Sequence, residues 1–283
     1  MSKLFLTYDS DCCKYLQSYS AKKQEKGMSI SYSVIIPAYN EEAWLDKTLA
    51  TLRIAMNAVP LIGEVIVVNN NSDDKTPEIA SQSGAKVIFE PVNQISRARN
   101  SGARAASGKY LIFLDADTIL APELLKTALE YLSDNTCCGG GGRVAFDTEL
   151  PWFARGADDF WNKIAVRYGM AAGCFVYCLK QAFDDIGGFN EQVYASEEIW
   201  FSKRLGRWGK KRGMAFRIIP NPMLITSSRK LEWFSPLQML GMGLIMLLFP
   251  FAVRFRSLCS LWYQRPKEVR NCQSKKKQND FGG

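Results

Sequence analysis

Two aspartates one residue apart, Asp115 and Asp117, close the apolar run Tyr110 to Leu114 in the stretch KYLIFLDADTILAP. On extended backbone, carboxylates at i and i+2 face the same way; they repel each other and attract a cation. A hard ion, Mg²⁺ or Mn²⁺, suits such a pair, because it takes one or two carboxylates and completes its shell with substrate phosphates. The same residues also fit a capped turn after a strand. A second acidic pair, Glu197 and Glu198, follows Ser196 at the head of a helical stretch, where Ser caps and acids favour the helix dipole. Asn69-Asn70-Asn71 precede Ser72-Asp73-Asp74. Asp73 or Asp74 is placed to cap the next helix, whereas the amides suit hydrogen bonding to a base or a ribose. Arg97, Arg99 and Arg104 lie on one predicted helix, Gln94 to Ala106. Those near its start are placed for a diphosphate, with a solvated surface as the competing reading.

These groups need a frame. Tyr110 to Leu114 reads as a strand buried on both faces of a parallel sheet. Tyr32 to Ile36, closed by Pro37, Glu64 to Val68 and Ala85 to Phe89 read likewise, and helical patterns separate them. The first such helix carries Trp44, Leu45, Leu49, Leu52 and Met56 at helical spacing. The β-α-β-α-β-α-β alternation over residues 32–115 predicts an α/β, doubly wound, mostly parallel sheet flanked by helices. Ligands of such sheets bind beyond the carboxyl ends of the strands, where every polar cluster above lies. Pro37 lacks an N–H and makes Ala38 to Glu42 a natural ligand lip. Pro122 and Glu123 open the helix after Asp117. Further on, Gly139 to Gly142 imply either close approach of a ligand or a bulge or turn. Neither a GxGxxG after the first strand nor a GxxxxGK[ST] loop occurs.

The 283 residues suit one large α/β domain with an appendage. The net charge of +8 is polarised: residues 1–198 carry net −6 and residues 199–277 net +15. A basic half beside the apolar run Leu237 to Val253 points to an anionic membrane surface. That run lies at the lower limit for a span and is flanked by Trp233, Phe234, Arg254, Arg256, Trp262 and Tyr263 as interfacial anchors. A re-entrant or in-plane segment on the cytoplasmic face fits it slightly better than a full span, with a buried core helix as a further alternative. No nucleic-acid recognition module accompanies the basic residues. Eight cysteines without CxxC spacing, and no histidine, read as reduced buried thiols rather than zinc ligands. The organisation expected is an extension over 1–31, a domain over 32–230, a membrane-associated segment over 231–270 and a tail over 271–283.

In order, VIIPAYNEE, VVNNNSDDKT, ISRARNSGARAASGKYLIFLDAD, IGGFNE and SEEIWFSKRL resemble the family 2 glycosyltransferases of the GT-A fold, over roughly residues 32–230. The resemblance implies a UDP or GDP sugar as donor, lying across Pro37, Ala38, Tyr39, Asn40 and Glu41 and the Asn69/Asn70 corner, with Arg97 or Arg99 nearby. It implies that Asp115, beside Ala116, faces ribose and metal, and that Asp117 ligates Mg²⁺ or Mn²⁺. Gly173, Gly187, Gly188 and Phe189 then fall in the acceptor and donor-sugar region. Glu197-Glu198 stand where the family has a Glu-Asp pair, so Glu198 takes the role of catalytic base. The expected membrane location, not the resemblance, points to the acceptor, a saccharide or lipid-linked, cell-envelope glycan. A carboxylate base and a cation on opposite sides of the sugar imply transfer with inversion.

Three departures stand out: Asn69 and Asn70 where aspartate is common, Glu for Asp at the base, and no late histidine to ligate metal. Ile225 to Lys230 occupies that last region, and Arg229 or Lys230 could hold the diphosphate directly. The departures also motivate an alternative, a non-catalytic sugar-nucleotide-binding or scaffold protein. Nucleotidyl transfer, a third reading, expects a glycine-rich basic loop after the first strand, which Pro37 to Glu42 does not supply.

Overall fold

The apolar runs of the first half become the inner strands of an eight-stranded mixed sheet in a computed structural model. It describes residues 29–149 and 156–229, the stretch 249–259 and isolated positions between 233 and 263. Strands β1 (Tyr32–Ala38), β2 (Gly63–Asn69), β3 (Lys86–Phe89) and β4 (Tyr110–Leu114) run parallel in the order β3-β2-β1-β4. Helices α1 (Leu45–Asn57), α2 (Thr76–Gln82) and α3 (Ile95–Ala105) make the crossovers. This is the alternation expected from the sequence. Strand β1 continues through Pro37 to Ala38, because the ring only removes a donor and parallel register with β2 is kept to Asn69.

Beyond β4 the topology changes. A two-residue strand β5 (Thr118–Ile119) leads into α4 (Pro122–Ser133), β6 (Cys137–Phe146), α5 (Ala157–Tyr168), β7 (Phe175–Leu179), α6 (Lys180–Ile186), α7 (Glu197–Lys210) and β8 (Ala215–Thr226). Strand β7 lies antiparallel to both β4 and β6, β8 runs parallel to β6, and β5 pairs antiparallel with the end of β8. Short pairing across β5 and β8 sets Thr118 opposite Thr226, so residues just after β8 arrive beside the Asp115–Asp117 turn.

Apolar side chains fill both faces. One core layer joins Val34, Ile36, Leu49, Leu52, Ile112 and Leu125; the other joins Ile35, Phe113, Phe183, Phe189, Phe201 and Leu205. In the second layer Phe189 and Phe201 stack with centroids 4.2 Å apart, and Phe113 meets Phe189 edge-on at 5.0 Å. Close neighbours account for glycine at two positions of the β6 run. A Cβ on Gly140 would overlap the Arg217 carbonyl oxygen of β8, and one on Gly141 would lie 2.7 Å from the Ala171 Cβ. Register shifts between Cys137 and Gly139 and between Gly142 and Val144 mark irregularities at both ends of the run.

The expected tail over 271–283 and all but residues 29–31 of the expected extension over 1–31 lie outside the described residues, as do 239, 240, 242–244 and 246–248 of the run Leu237 to Val253. Pro250–Arg254 and Arg256–Leu258 form two 3₁₀ turns. Among the described residues no helix is long and apolar enough to cross a membrane. The described part of the C-terminal segment packs on the domain: Tyr194 N donates to the Val253 carbonyl at 2.6 Å, and Val193, Ala195, Val253 and Cys259 form a small buried cluster.

Candidate active site

At the carboxyl ends of β1 and β2 two loops are stitched together. Asn70 N donates to the Ala38 carbonyl at 2.8 Å, Asn40 N to Ser72 Oγ at 3.0 Å, and Asp73 N to Asn40 Oδ1 at 2.9 Å. Glu41 N donates to Thr76 Oγ1 at 2.7 Å, and Glu42 N to Asp74 Oδ2 at 3.0 Å. Asn40 sits at φ 52°, a left-handed turn that Asn tolerates better than most residues. The lip Pro37 to Glu41 and the Asn69 corner therefore form one braced edge. Asp74 Oδ1 accepts from Thr76 N at 2.9 Å, the helix-start role expected of it.

Asn70 does not offer its amide to that edge. Its Nδ2 donates to the carbonyls of Glu90 and Val92 at 3.2 and 2.6 Å, and its Oδ1 accepts from Gln94 N at 2.9 Å. It ties the start of α3 to β2. Asn69 Oδ1 accepts from Ser72 N at 2.8 Å.

Extended backbone does not set the two aspartates side by side. Thr118 N donates to the Asp115 carbonyl at 3.2 Å, so residues 115–118 form a turn instead of extended backbone. Thr48 Oγ1 of α1 anchors this turn through the Ala116 carbonyl at 2.8 Å. The carboxylates diverge onto different arginines. Asp115 Oδ1 accepts from Arg99 Nη2 at 3.0 Å, and Asp117 Oδ2 accepts from Arg229 Nη2 at 2.9 Å.

Arg99, expected near a diphosphate, is instead buried, with a side chain 2% exposed. Its Nη1 meets Glu197 Oε1 at 2.6 Å and its Nη2 meets the Gly173 carbonyl at 2.7 Å. The Phe189 ring lies beneath it, 5.1 Å from the guanidinium carbon. Helix α3 turns this side chain inward, and the strong demand of a buried guanidinium for acceptors holds three chain segments together. Burial works to lower the Arg99 pKa, but the Asp115, Glu197 and Glu198 carboxylates outweigh it and raise it. Arg97, by contrast, is 40% exposed and meets Glu191 at 3.5 Å.

Glu197 and Glu198 open α7 as expected. Ser196 occupies the cap position at φ 59°, but its side chain makes no capping bond. Glu197 is buried against Arg99, whereas Glu198 is half-buried, its side chain close enough to Gly173 that a Cβ there would lie 3.7 Å from its Cδ. Burial, then the charge of Glu197, raises the Glu198 pKa to about 8. Cys174 is next to this site; burial first, then Asp115 and Asp117, pushes its thiol far up, so it is protonated and inert.

The remaining expected residues serve as supports. Gly187 ends α6 at φ 73° and Gly188 follows at φ 66°. Phe189 is buried, and Asn100 clasps its backbone, with Phe189 N donating to Oδ1 and Nδ2 donating to the carbonyl, both at 2.9 Å. Gln94 Nε2 donates to the Glu191 and Val193 carbonyls at 2.8 and 3.0 Å. Sequence reasoning missed Thr48, Gln94 and Asn100 because each bonds a residue distant in the chain, and no local pattern marks them.

Arg229 completes the site. Its Nη2 lies 2.7 Å from both Glu41 carboxylate oxygens, and Trp44 and Trp233 flank the guanidinium at 5.7 and 5.5 Å. Burial lowers its pKa, and Glu41 and Asp117 raise it more. Among the described residues no group of three or more Asp, Glu, Cys or His side chains could hold a metal unaided. Asp117 and Asp115 on one turn fit a divalent ion shared with substrate phosphates, since Mg²⁺-type sites need only one or two protein carboxylates.

A mixed α/β sheet with acidic turns beyond its strand ends and an acidic helix start facing them is the architecture of GT-A glycosyltransferases. The sequence matches the model of Glycosyl transferase family 2 over residues 33–185, more than half the chain, and the chain belongs to that family. It is 32% identical over 120 residues to an uncharacterized glycosyltransferase of Haemophilus influenzae, covering 40% of this chain and 47% of that protein. It is 28% identical over 184 residues to glycosyltransferase AglE of Haloferax volcanii, covering 61% and 60%. The chain thus spans well under two thirds of the length of these relatives. Mannosyltransferase PcManGT of Pyrobaculum calidifontis, solved with GDP-Man and Mn²⁺, shares the fold at TM-score 0.57 and 18% identity, over 93% of this chain and 76% of that one. TarS of S. aureus with UDP matches at TM-score 0.52 and 19% identity, over 79% and 65%.

Proposed function

We propose that this glycosyltransferase moves a sugar with inversion from a UDP or GDP sugar to an acceptor hydroxyl, with Glu198 as base. One observation carries the reading: Arg99 joins Asp115 at 3.0 Å to Glu197 at 2.6 Å, drawing the Asp115–Asp117 turn and the Glu197–Glu198 pair to opposite sides of one guanidinium. The braced edge of Pro37 to Glu41 and Asn69 receives the nucleoside. Asp117 and Asp115 would hold Mg²⁺ or Mn²⁺, and the bound ion would supply Lewis-acid stabilisation of a leaving diphosphate, worth several kcal/mol. Glu198, a carboxyl of raised pKa beside Gly173, takes the proton of the acceptor hydroxyl as it attacks, a contribution of about 10² to 10⁴ in rate. Glu197 and Arg99 position Glu198 and keep its neighbourhood charge-balanced. Attack from the Glu198 side, with departure toward Asp117, inverts the anomeric carbon.

The acceptor in this proposal is a saccharide or lipid-linked glycan at the cytoplasmic face of a membrane. What supports the location is a surface on which Phe249, Phe251 and Phe255 are 50, 58 and 54% exposed beside Arg254 and Arg256. Apolar rings next to basic residues suit an anionic bilayer interface. The protein should co-sediment with phosphatidylglycerol vesicles, and Phe251→Ser/Phe255→Ser should release it; equal recovery with pure phosphatidylcholine would remove the charge argument.

The direct test is a thermal-shift screen of UDP, GDP and dTDP sugars with and without Mn²⁺. A bound donor raises Tm by mass action, by about 2.7 kcal/mol of stability at a hundredfold excess over Kd. Donor hydrolysis to free nucleotide in Mn²⁺, abolished by EDTA, is expected. No shift with any nucleotide sugar would end the proposal.

A further inference from the structure

Three carboxylate oxygens, both of Glu41 and one of Asp117, lie within 2.9 Å of a single nitrogen, Arg229 Nη2. The guanidinium is held between Trp44 and Trp233, and its buried Nε donates to no group among the described residues. A buried donor without an acceptor is costly, and here it belongs to the group that neutralises the carboxylates nearest the diphosphate site. We infer that Arg229 is an exchangeable counter-cation: in the donor-free enzyme it occupies Asp117 and excludes divalent metal, and on donor binding it transfers to the diphosphate, leaving Asp117 to ligate the ion.

The charges and the local folding both require this order. Glu41, Asp117 and Arg229 together carry net −1, and a divalent ion approaching Asp117 meets a guanidinium 2.9 Å from the oxygen it would ligate. A diphosphate supplies what each partner lacks, acceptors for the planar fork and orphaned Nε of Arg229 and phosphate oxygens for the metal shell. Arg229 can move because it lies three residues past the end of β8. Its neighbours do not follow it: Ser228 N is fixed to Asp147 Oδ1 at 2.8 Å and Thr118 Oγ1 to Thr226 Oγ1 at 3.1 Å. Metal and nucleotide then bind with positive coupling, which thermodynamics makes reciprocal.

The inference rests on the proposed donor chemistry, but its first test does not use a nucleotide. Mn²⁺ alone is titrated into the wild-type protein and Arg229→Gln, read by loss of the aqueous Mn²⁺ electron paramagnetic resonance signal. Arg229→Gln should bind Mn²⁺ at least about tenfold more tightly than wild type, a change worth one decade in Kd. A variant that binds no better overturns the exchange. Should Arg229→Gln melt too low to titrate, the wild-type protein decides: saturating UDP or GDP should tighten Mn²⁺ by about tenfold or more, and identical Mn²⁺ affinity with and without bound nucleotide overturns it equally. In EDTA, Arg229→Gln should also weaken whichever of UDP or GDP binds wild type by about tenfold. If neither nucleotide binds wild type, the donor reading fails while the Mn²⁺ comparison still judges Arg229.

Discussion

Replacing Arg99 with methionine removes a guanidinium 2% exposed from Asp115, 29% exposed, and from Glu197, 4% exposed. Asp115 can be rehydrated; Glu197 cannot. Breaking a buried pair by deleting one partner costs about 3–5 kcal/mol, because the remaining charge is stranded, and at about 2–4 °C per kcal/mol for a domain of this size Tm should fall by about 6–20 °C. The Gly173 carbonyl also loses its 2.7 Å donor. Thermal unfolding followed by circular dichroism reads the change. A double-mutant cycle isolates the cause: Arg99→Met/Glu197→Gln leaves no stranded charge, and should be more stable than Arg99→Met alone. A Tm loss under about 3 °C, or a double variant no better than the single, would refute the account of Arg99 as the clamp of the site.

Glu198→Gln should lower turnover by about 10² to 10⁴ with nucleotide affinity retained, as expected when only the proton acceptor is lost; near wild-type turnover would exclude Glu198 as base. Because the Glu198 pKa is raised to about 8, kcat/KM of the wild type should climb with pH and level off above that value. The same shift acts on stability. A carboxyl with a raised folded pKa costs nothing below the ordinary carboxylate range and destabilises increasingly as pH rises to about 8, so Glu198→Gln should melt above wild type at pH 9 and level with it at pH 4. Asp117→Ala should abolish transfer while Tm stays close to wild type, since Glu41 retains Arg229 at 2.7 Å; measurable product at wild-type rate would remove Asp117 from its role. Gly140→Ala pushes a methyl into the Arg217 carbonyl oxygen, and overpacking of this kind costs about 1–3 kcal/mol, so Tm should fall by about 2–12 °C. An unchanged Tm there would mean that β6 and β8 separate more easily than their pairing implies.

Local pattern was enough to read the parallel half of the sheet. Continuous apolar runs such as Tyr110 to Leu114 can only be satisfied by burial on two faces, and the helices between them leave a parallel arrangement as the short, right-handed solution. The order of acidic and amide clusters at strand ends was legible for the same reason, because strand ends are where polar residues stop being excluded. The antiparallel placement of β7 between β4 and β6 was not, since pairing partners far apart in sequence leave no mark in either strand. Nor could spacing reveal that Asp115 and Asp117 meet different arginines from a turn, closed by Thr118 N and the Asp115 carbonyl at 3.2 Å, that replaces the alternation of extended backbone.

The arginines separate the two kinds of knowledge most clearly. Sequence alone established a run of basic side chains on α3 and a basic stretch after β8, together with carboxylates that needed neutralising. Which arginine meets which carboxylate was decided by tertiary structure, because the helix phase of α3 buries Arg99 while exposing Arg97. The β5–β8 pairing delivers Arg229 to Asp117 across 112 positions of chain. Charge can be counted from a sequence, but its energy depends on distance and burial, and those quantities exist only once the strands have been ordered.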